Sequence, residues 1–222
     1  AAGGRRGPWR LLKADRDFRR YQTAQFVAGS ANMMIEAPFV YLVSVELGAG
    51  YLLSFTLSMV LPWLLGLLTL PLWAHFLDQV HVTRFRARQS LLWIGSQGLL
   101  CLGGLTGAVW LLAASRTLLG AARGGGVLAW QLGHNDFARP EALGGYMAAH
   151  VTLTGIRGLT APFLGMLLYQ GAAFGPVTIP GLGPWVYAVA AALSTLAWVL
   201  FRRQARDLAG RDLPGTTNGV AR

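Results

Sequence analysis

The sequence predicts an all-α membrane protein with six transmembrane helices. Three observations predict it. Apolar stretches long enough to span a bilayer recur six times, basic residues fall on alternate connections, and tryptophans sit near the ends of the stretches. Composition agrees: 54% of the 222 residues are hydrophobic, only 13% are charged, and the mean hydropathy is +0.45. An ordinary soluble domain carries about 25% charged residues. The composition therefore excludes disorder and argues against a soluble globule. A net charge of +10 raises nucleic-acid binding, but the placement of the charges points to the lipid bilayer instead, and no nucleic-acid partner is expected. The single cysteine, Cys101, leaves no internal disulfide and no cysteine cage. No metal site and no cofactor is expected.

A bilayer core about 30 Å thick takes roughly 20 helical residues. Residues 1–20 lack an apolar core and so are not a signal peptide; they read as a basic cytoplasmic segment or linker. The chain opens on Ala1, which reads as a processed or trimmed start or a fragment. The transmembrane domain covers 21–201. Its first span is 21–45, loosened near its outer end by Pro38, and its second is 51–73. One apolar stretch from 89 to 132 is too long for a single crossing. The run Gly103-Gly104-Leu105-Thr106-Gly107 divides it into spans at 89–105 and 108–132. The fifth span is 144–170, broken by Pro162, and the sixth is 184–201. Residues 202–222 read as a flexible cytoplasmic tail containing Pro214-Gly215-Thr216-Thr217-Asn218-Gly219.

Charge supports this alternation. Arg5, Arg6, Arg10, Lys13, Arg16, Arg19 and Arg20 precede the first span. Arg84, Arg86 and Arg88 follow the second, Arg139 follows the fourth, and Arg202, Arg203, Arg206, Arg211 and Arg222 follow the sixth. These sixteen lie on one side, and the other connections hold none. The rule that positive loops stay inside places both termini in the cytoplasm. The near-exclusive use of Arg over Lys, with much Ala and Gly, reads as a bacterial source and so a bacterial inner membrane. Trp73, Trp93, Trp130 and Trp198 fall near inner ends and Trp110 and Trp185 near outer ends. Trp63 is mid-span and reads as packing.

Polar groups at membrane depth are costly and mark function. Tyr21, Gln25, Asn32 and Glu36 share a sector of about 60° on the first span. Arg116, Arg123 and Gln131 share one face of the fourth, and His150, Thr154 and Arg157 share one face of the fifth, continued by Ala161 and Gly165. At about 1.5 Å per residue, Glu36, Arg157 and Arg116 lie roughly 22, 20 and 18 Å from the inner edge. Glu36 is therefore expected to pair with Arg116 or Arg157, with Arg123 and His150 one level nearer the cytoplasm. A carboxylate raised in pKa by burial and lowered by a nearby arginine is a proton-coupling candidate. Buried arginines also suit an anionic group. Gly120, Gly124, Gly125 and Gly126 on the fourth span, and Gly155, Gly158, Ala161 and Gly165 on the fifth, allow close helix contact. The glycine run and Pro162 also offer points of flexing.

Three landmarks then occur in order. Asp78, with Arg84 and Arg86 after it, stands in the connection after the second span. Arg116-Thr117-Leu118-Leu119-Gly120, with Gly124, lies on the fourth. Ala161-Pro162-Phe163-Leu164-Gly165 lies on the fifth. With these landmarks, residues 18–201 resemble one six-helix half of a major facilitator superfamily transporter, more closely the C-terminal half. The resemblance implies a half bundle of that type and a second six-helix half as partner, in the same longer chain or a second copy. Residues 1–20 would then end the central cytoplasmic loop. It implies alternating access to a small-molecule substrate held near the midplane between halves. It gives Asp78, Arg84 and Arg86 a gating role. The fifth-span motif is similar to the Gly-Pro-x-x-Gly signature of proton antiporters, which implies coupling to H+ and efflux. Ala74, Gln79 and His81 depart from the gating-loop pattern, and Ala161 and Arg157 from the antiporter one.

Two other classes compete. An intramembrane hydrolase would need a nucleophile and a base at fixed geometry; Ser96 and His150 are the candidates, and their spacing matches no nucleophile motif. A channel or structural scaffold would lack saturable, gradient-driven uptake. No Gly-Lys-Ser/Thr phosphate loop is present, so direct ATP driving is not expected. His134-Asn135-Asp136 reads as a short polar loop rather than a metal site.

Overall fold

A computed structural model describes residues 8–174 and 177–211. A short helix α1 (Pro8–Ala14) comes before six long helical rods. The first, Arg16–Glu46, contains α2 (Arg16–Met34), α3 (Glu36–Tyr41) and a π turn at Leu42–Glu46. The second, Tyr51–Gln79, contains α4 (Tyr51–Phe55), a π turn at Thr56–Val60 and α5 (Leu61–Gln79). The third is α6 (Val82–Thr106) and the fourth α7 (Val109–Leu132). The fifth, Pro140–Gln170, is one 3₁₀ turn and α8 (Leu143–Gln170), and the sixth is α9 (Trp185–Arg211).

Rods one, two, five and six are long and apolar enough to cross a membrane. Rods three and four have 25 and 24 residues, enough length at about 1.5 Å per residue. Their apolar character is diluted by polar side chains turned inward: Gln89, Ser96 and Gln97 on α6, and Ser115 and Arg116 on α7, are all buried. The outward surface is apolar. Leu67, Leu72, Leu159 and Phe163 are each about 70% exposed, a pattern that water penalises and lipid does not.

Prolines set the breaks within rods. Pro38 has no N–H to offer the Met34 carbonyl, and the helix is interrupted at Ile35 between α2 and α3. Pro62 acts likewise on the second rod: the Leu61 N–H reaches back five residues to Thr56 in the π turn, so the Leu57 carbonyl gains no donor from Leu61 or Pro62. Pro162 behaves differently from expectation. It sits inside α8, which continues through it to Gln170. The Gly124–Gly126 run is likewise unbroken helix.

Three further differences have local causes. Rod three starts at Val82, not 89, because the Val82 N–H donates to Asp136 Oδ2 (2.7 Å) and the Thr83 N–H to His81 Nδ1 (3.2 Å). Those caps satisfy amides that otherwise lack partners, so Arg84, Arg86 and Arg88 lie on a helix and not in a loop. Rod six runs to Arg211, so residues 202–211 are helix rather than flexible tail. Asp207 pairs with Arg20 (2.6 Å), Asp17 with Arg211 (2.5 Å), and buried Gln204 donates to the Asp17 carbonyl (2.7 Å). The proline-glycine run at 214–219 lies outside the described residues. Within 1–20, Asp15 caps α2 through the Phe18 N–H (2.9 Å) and accepts the Tyr146 hydroxyl (2.6 Å), which holds α1 against the fifth rod. An antiparallel hairpin, β1 (Gly171–Phe174) and β2 (Val177–Pro180), joins rods five and six. Gly171, at φ +80°, opens it where a Cβ would strike the Ile179 carbonyl.

The rods pack by a pairing rule. Rod two lies on four and five on one; rod three lies on four and six on one; rod three also lies on six. Exchanging rods one, two and three with four, five and six carries this set of principal interfaces onto itself. Two apolar clusters form the core. One gathers Phe39, Leu42, Leu100, Leu112 and Tyr187; the other gathers Phe18, Tyr21, Phe85 and Phe201. Along most rods, the buried polar side chains lie between the residues of one cluster and those of the other.

Candidate functional site: two buried arginine centres

The first centre is an ion pair. Arg116 is fully buried, and its NH2 group donates to Glu36 Oε2 at 2.7 Å. Its Nε donates to the Leu57 carbonyl (3.1 Å), the acceptor left open by the π turn before Pro62. The guanidinium also stacks on Phe39, 3.9 Å from the ring centroid, a favourable cation–π contact. Glu36 keeps 40% of its side chain exposed. Of the two partners expected for Glu36, the structure joins it to Arg116.

Arg157 goes elsewhere. Helical side chains lean toward the N-terminus of their own helix, and rods four and five run in opposite directions. Arg116 therefore reaches toward Glu36, while Arg157 reaches the other way. Its NH1 donates to the Gln25 carbonyl (2.7 Å).

There it lines a cavity of about 310 Å³ with Gln25, Asn32, Arg86, Arg123 and Gln131. Trp93 and Trp130 form part of the wall. Five of the residues singled out from sequence as pathway candidates thus meet at one place. Arg86 and Arg157 are 8% and 4% exposed, and neither has a carboxylate within ion-pair distance among the described residues. The Arg86 NH1 donates to Gln89 Oε1 (2.8 Å), and Gln89 Nε2 donates to the Ala122 carbonyl (2.7 Å). The Nε atoms of both arginines and Oε1 of Gln25 are buried without partners. Arg123 is half-buried and lies over Trp63, 4.9 Å from the ring centroid.

Other candidates serve as framework. His150 Nδ1 faces Gln22 Oε1 at 3.1 Å, and its ring packs edge-on against Trp130. Ser96 donates to the Ser115 carbonyl (3.0 Å) and Ser115 to that of Ser96 (2.8 Å). The pair knits rods three and four together, so Ser96 and His150 do not meet. Asp78 is exposed at the end of α5, Arg84 is exposed on α6, and Arg86 is in the cavity, so the three do not form one cluster. His134 is buried in the connection after rod four, and burial pushes its imidazole below the ordinary value of 6.5.

Glycines bring the helices together at the two equivalent interfaces. Between rods two and four, a Cβ on Gly120 would lie 2.8 Å from the Pro62 carbonyl, and one on Gly124 2.6 Å from that of Gly66. Between rods one and five, a Cβ on Gly165 would strike the Met34 carbonyl, and one on Gly29 the Arg157 guanidinium. Ala161 is buried at this second interface, whereas Gly155 and Gly158 face open space. Each interface also holds one buried arginine donating to a carbonyl of the opposite rod.

Gln89 and Ser90, both in the cavity wall, and Gln97, whose Nε2 donates to Asn32 Oδ1 (3.0 Å), escape the sequence reading. The signal existed: Arg86, Gln89, Trp93 and Gln97 recur at helical spacing on one face of α6. A span taken to begin at 89 leaves Arg86 out of that frame. Compared with models of protein families, with curated proteins and with solved structures, the chain finds no match, and its function is to be read from this geometry.

Proposed function

We propose that the chain is one six-helix half of a secondary transporter of the major facilitator type. In this reading it moves a small molecule across the cell membrane by alternating access, beside a second six-helix half. The observation that carries the reading is the pairing rule of the packing. Rods one to three and four to six correspond interface by interface. Successive rods joined by short connections alternate in direction, so the two triplets are inverted repeats, the architecture that transporters use to expose one site to either side. Rods three and four complete six crossings: their polar groups turn inward, and Leu91, Leu102, Val109 and Trp110 face out. The basic residues of the alternate connections, apart from Arg86 in the cavity, then fall on the cytoplasmic side with both termini.

The polar cavity is the part of the pathway that this half contributes. Glu36, tied to Arg116 at 2.7 Å, is the carboxylate that this reading assigns to H+ coupling. Coupling to H+ in the antiport direction makes efflux the favoured sense of transport.

The test needs no substrate. Asn32→Cys in a Cys101→Ala background places one thiol in the cavity of the protein in its own membrane. A carrier gives labelling by membrane-impermeant thiol reagents from either face, each reduced by prior reaction from the other. Labelling from one face alone, under every imposed ion gradient, would speak for a scaffold or a one-sided enzyme pocket.

A further inference from the structure

The cavity has a charge balance that its own side chains do not close. Arg86 and Arg157 are both more than nine-tenths buried. Every other polar group in the wall is a neutral amide, hydroxyl or indole N–H, apart from Arg123. A buried cation normally sits against a carboxylate, because an uncompensated one loses solvation worth several kcal/mol. Here the two guanidinium groups keep unpartnered Nε atoms, and no Asp or Glu among the described residues lines the space. At the first centre Arg116 also keeps one buried nitrogen without a partner, but its charge is met by a carboxylate and a ring. A protein that supplies a carboxylate at one arginine centre and a cavity at the other leaves room there for a negative charge from outside.

We infer that this cavity binds a small anion bearing a carboxylate or phosphoryl head. The head lies between Arg86 and Arg157, where planar guanidinium forks suit both groups. The body lies toward Trp93 and Trp130, so an aromatic or otherwise flat apolar body fits. At about 310 Å³ the space is at the small end of ligand pockets. Anion binding itself stands on the cavity alone; that the bound anion is the cargo of the carrier rests on the transporter reading.

The experiment is binding, not transport. The full chain in phosphatidylcholine nanodiscs is titrated with benzoate, phenylphosphonate and inorganic phosphate, against neutral benzamide and cationic benzylamine. Melting temperature and tryptophan emission are read. The anions raise the melting temperature saturably, and benzamide and benzylamine do not. Arg86→Gln and Arg157→Gln each weaken anion binding about tenfold or more, a loss of about 1.4 kcal/mol per tenfold. Each variant also gives up a buried hydrogen bond, to Gln89 or to the Gln25 carbonyl, so the readout is the anion-induced shift of each variant against its own ligand-free melting temperature. Gly29→Ala provides a second route: both charges stay, but the new Cβ displaces the Arg157 head, and anion binding weakens.

A parallel set of discs containing phosphatidylglycerol separates the sources. If that lipid raises the melting temperature and the soluble anions then compete with it, the head in the site is a lipid phosphate. Equal responses to benzoate and benzamide in both disc types overturn the inference, as does a full anion response in both glutamine variants. A protein that binds anions but labels from one face keeps this site and loses the carrier reading.

Discussion

Glu36→Leu is expected to destabilise the protein by about 3 kcal/mol or more, and Arg116→Leu by less. The asymmetry comes from burial. Arg116 is fully enclosed, whereas Glu36 keeps 40% of its side chain exposed. Removing the carboxylate strands a cation that no solvent reaches, the costly way to break an ion pair. Removing the arginine leaves a carboxylate that can still be hydrated, together with an orphaned Leu57 carbonyl worth roughly 1–3 kcal/mol. The double variant Glu36→Leu, Arg116→Leu should recover most of the loss of Glu36→Leu alone, because two apolar side chains can replace a buried pair with little penalty. Thermal melting of the four proteins in nanodiscs gives the coupling energy. Additive losses would mean that Glu36 and Arg116 do not act as a pair.

The other large effect belongs to Gly165. Its Cα lies against the Met34 carbonyl, which Pro38 leaves without a helical donor. A methyl group there meets backbone, not a movable side-chain end, so Gly165→Ala must push rods one and five apart at roughly 1–3 kcal/mol or more. Gly155→Ala and Gly158→Ala, on the same helix but facing open space, should be neutral or stabilising by up to about 1 kcal/mol, since alanine is the better helix former. Opposite signs for one substitution, a few turns apart on one helix, would be visible as opposite shifts in melting temperature. A similar loss at all three positions would show that helix flexibility, not the Met34 contact, sets the need for glycine.

Much of this arrangement is readable from the chain, and the unread parts share a cause. Six apolar stretches and alternating charge mark the rods, and Gly107, at φ +69° after α6, ends the third as the glycine-rich turn predicts. Polar spacing on the first, fourth and fifth rods finds Gln25, Asn32, Arg123, Gln131 and Arg157 before the cavity that collects them is visible. What stays hidden depends on remote partners. The start of α6 is set by Asp136, 54 residues further on, and the extension of α9 to Arg211 by Asp17 and Arg20 near the other end of the chain. Equal depth of Cα atoms also misleads for arginine, because a long side chain that leans along its helix places the charge about a turn away from its Cα. That is why Arg157 joins Arg86 and not Glu36.

The central claim is that all six rods cross the membrane, so that the arginine cavity lies inside the bilayer between inverted triplets. The most direct measurement concerns the third and fourth, whose polar residues weaken their apolar signature. Thr106→Cys, exposed between α6 and α7, and Asn135→Cys, exposed after α7, are each made in a Cys101→Ala background. Each is then labelled in intact cells with an impermeant thiol reagent. Labelling of Thr106→Cys in intact cells, with Asn135→Cys reacting only after permeabilisation, is the result expected of six crossings. Reaction of both from the cytoplasmic side alone would leave α6 and α7 as a hairpin that does not cross, and would contradict the six-crossing arrangement.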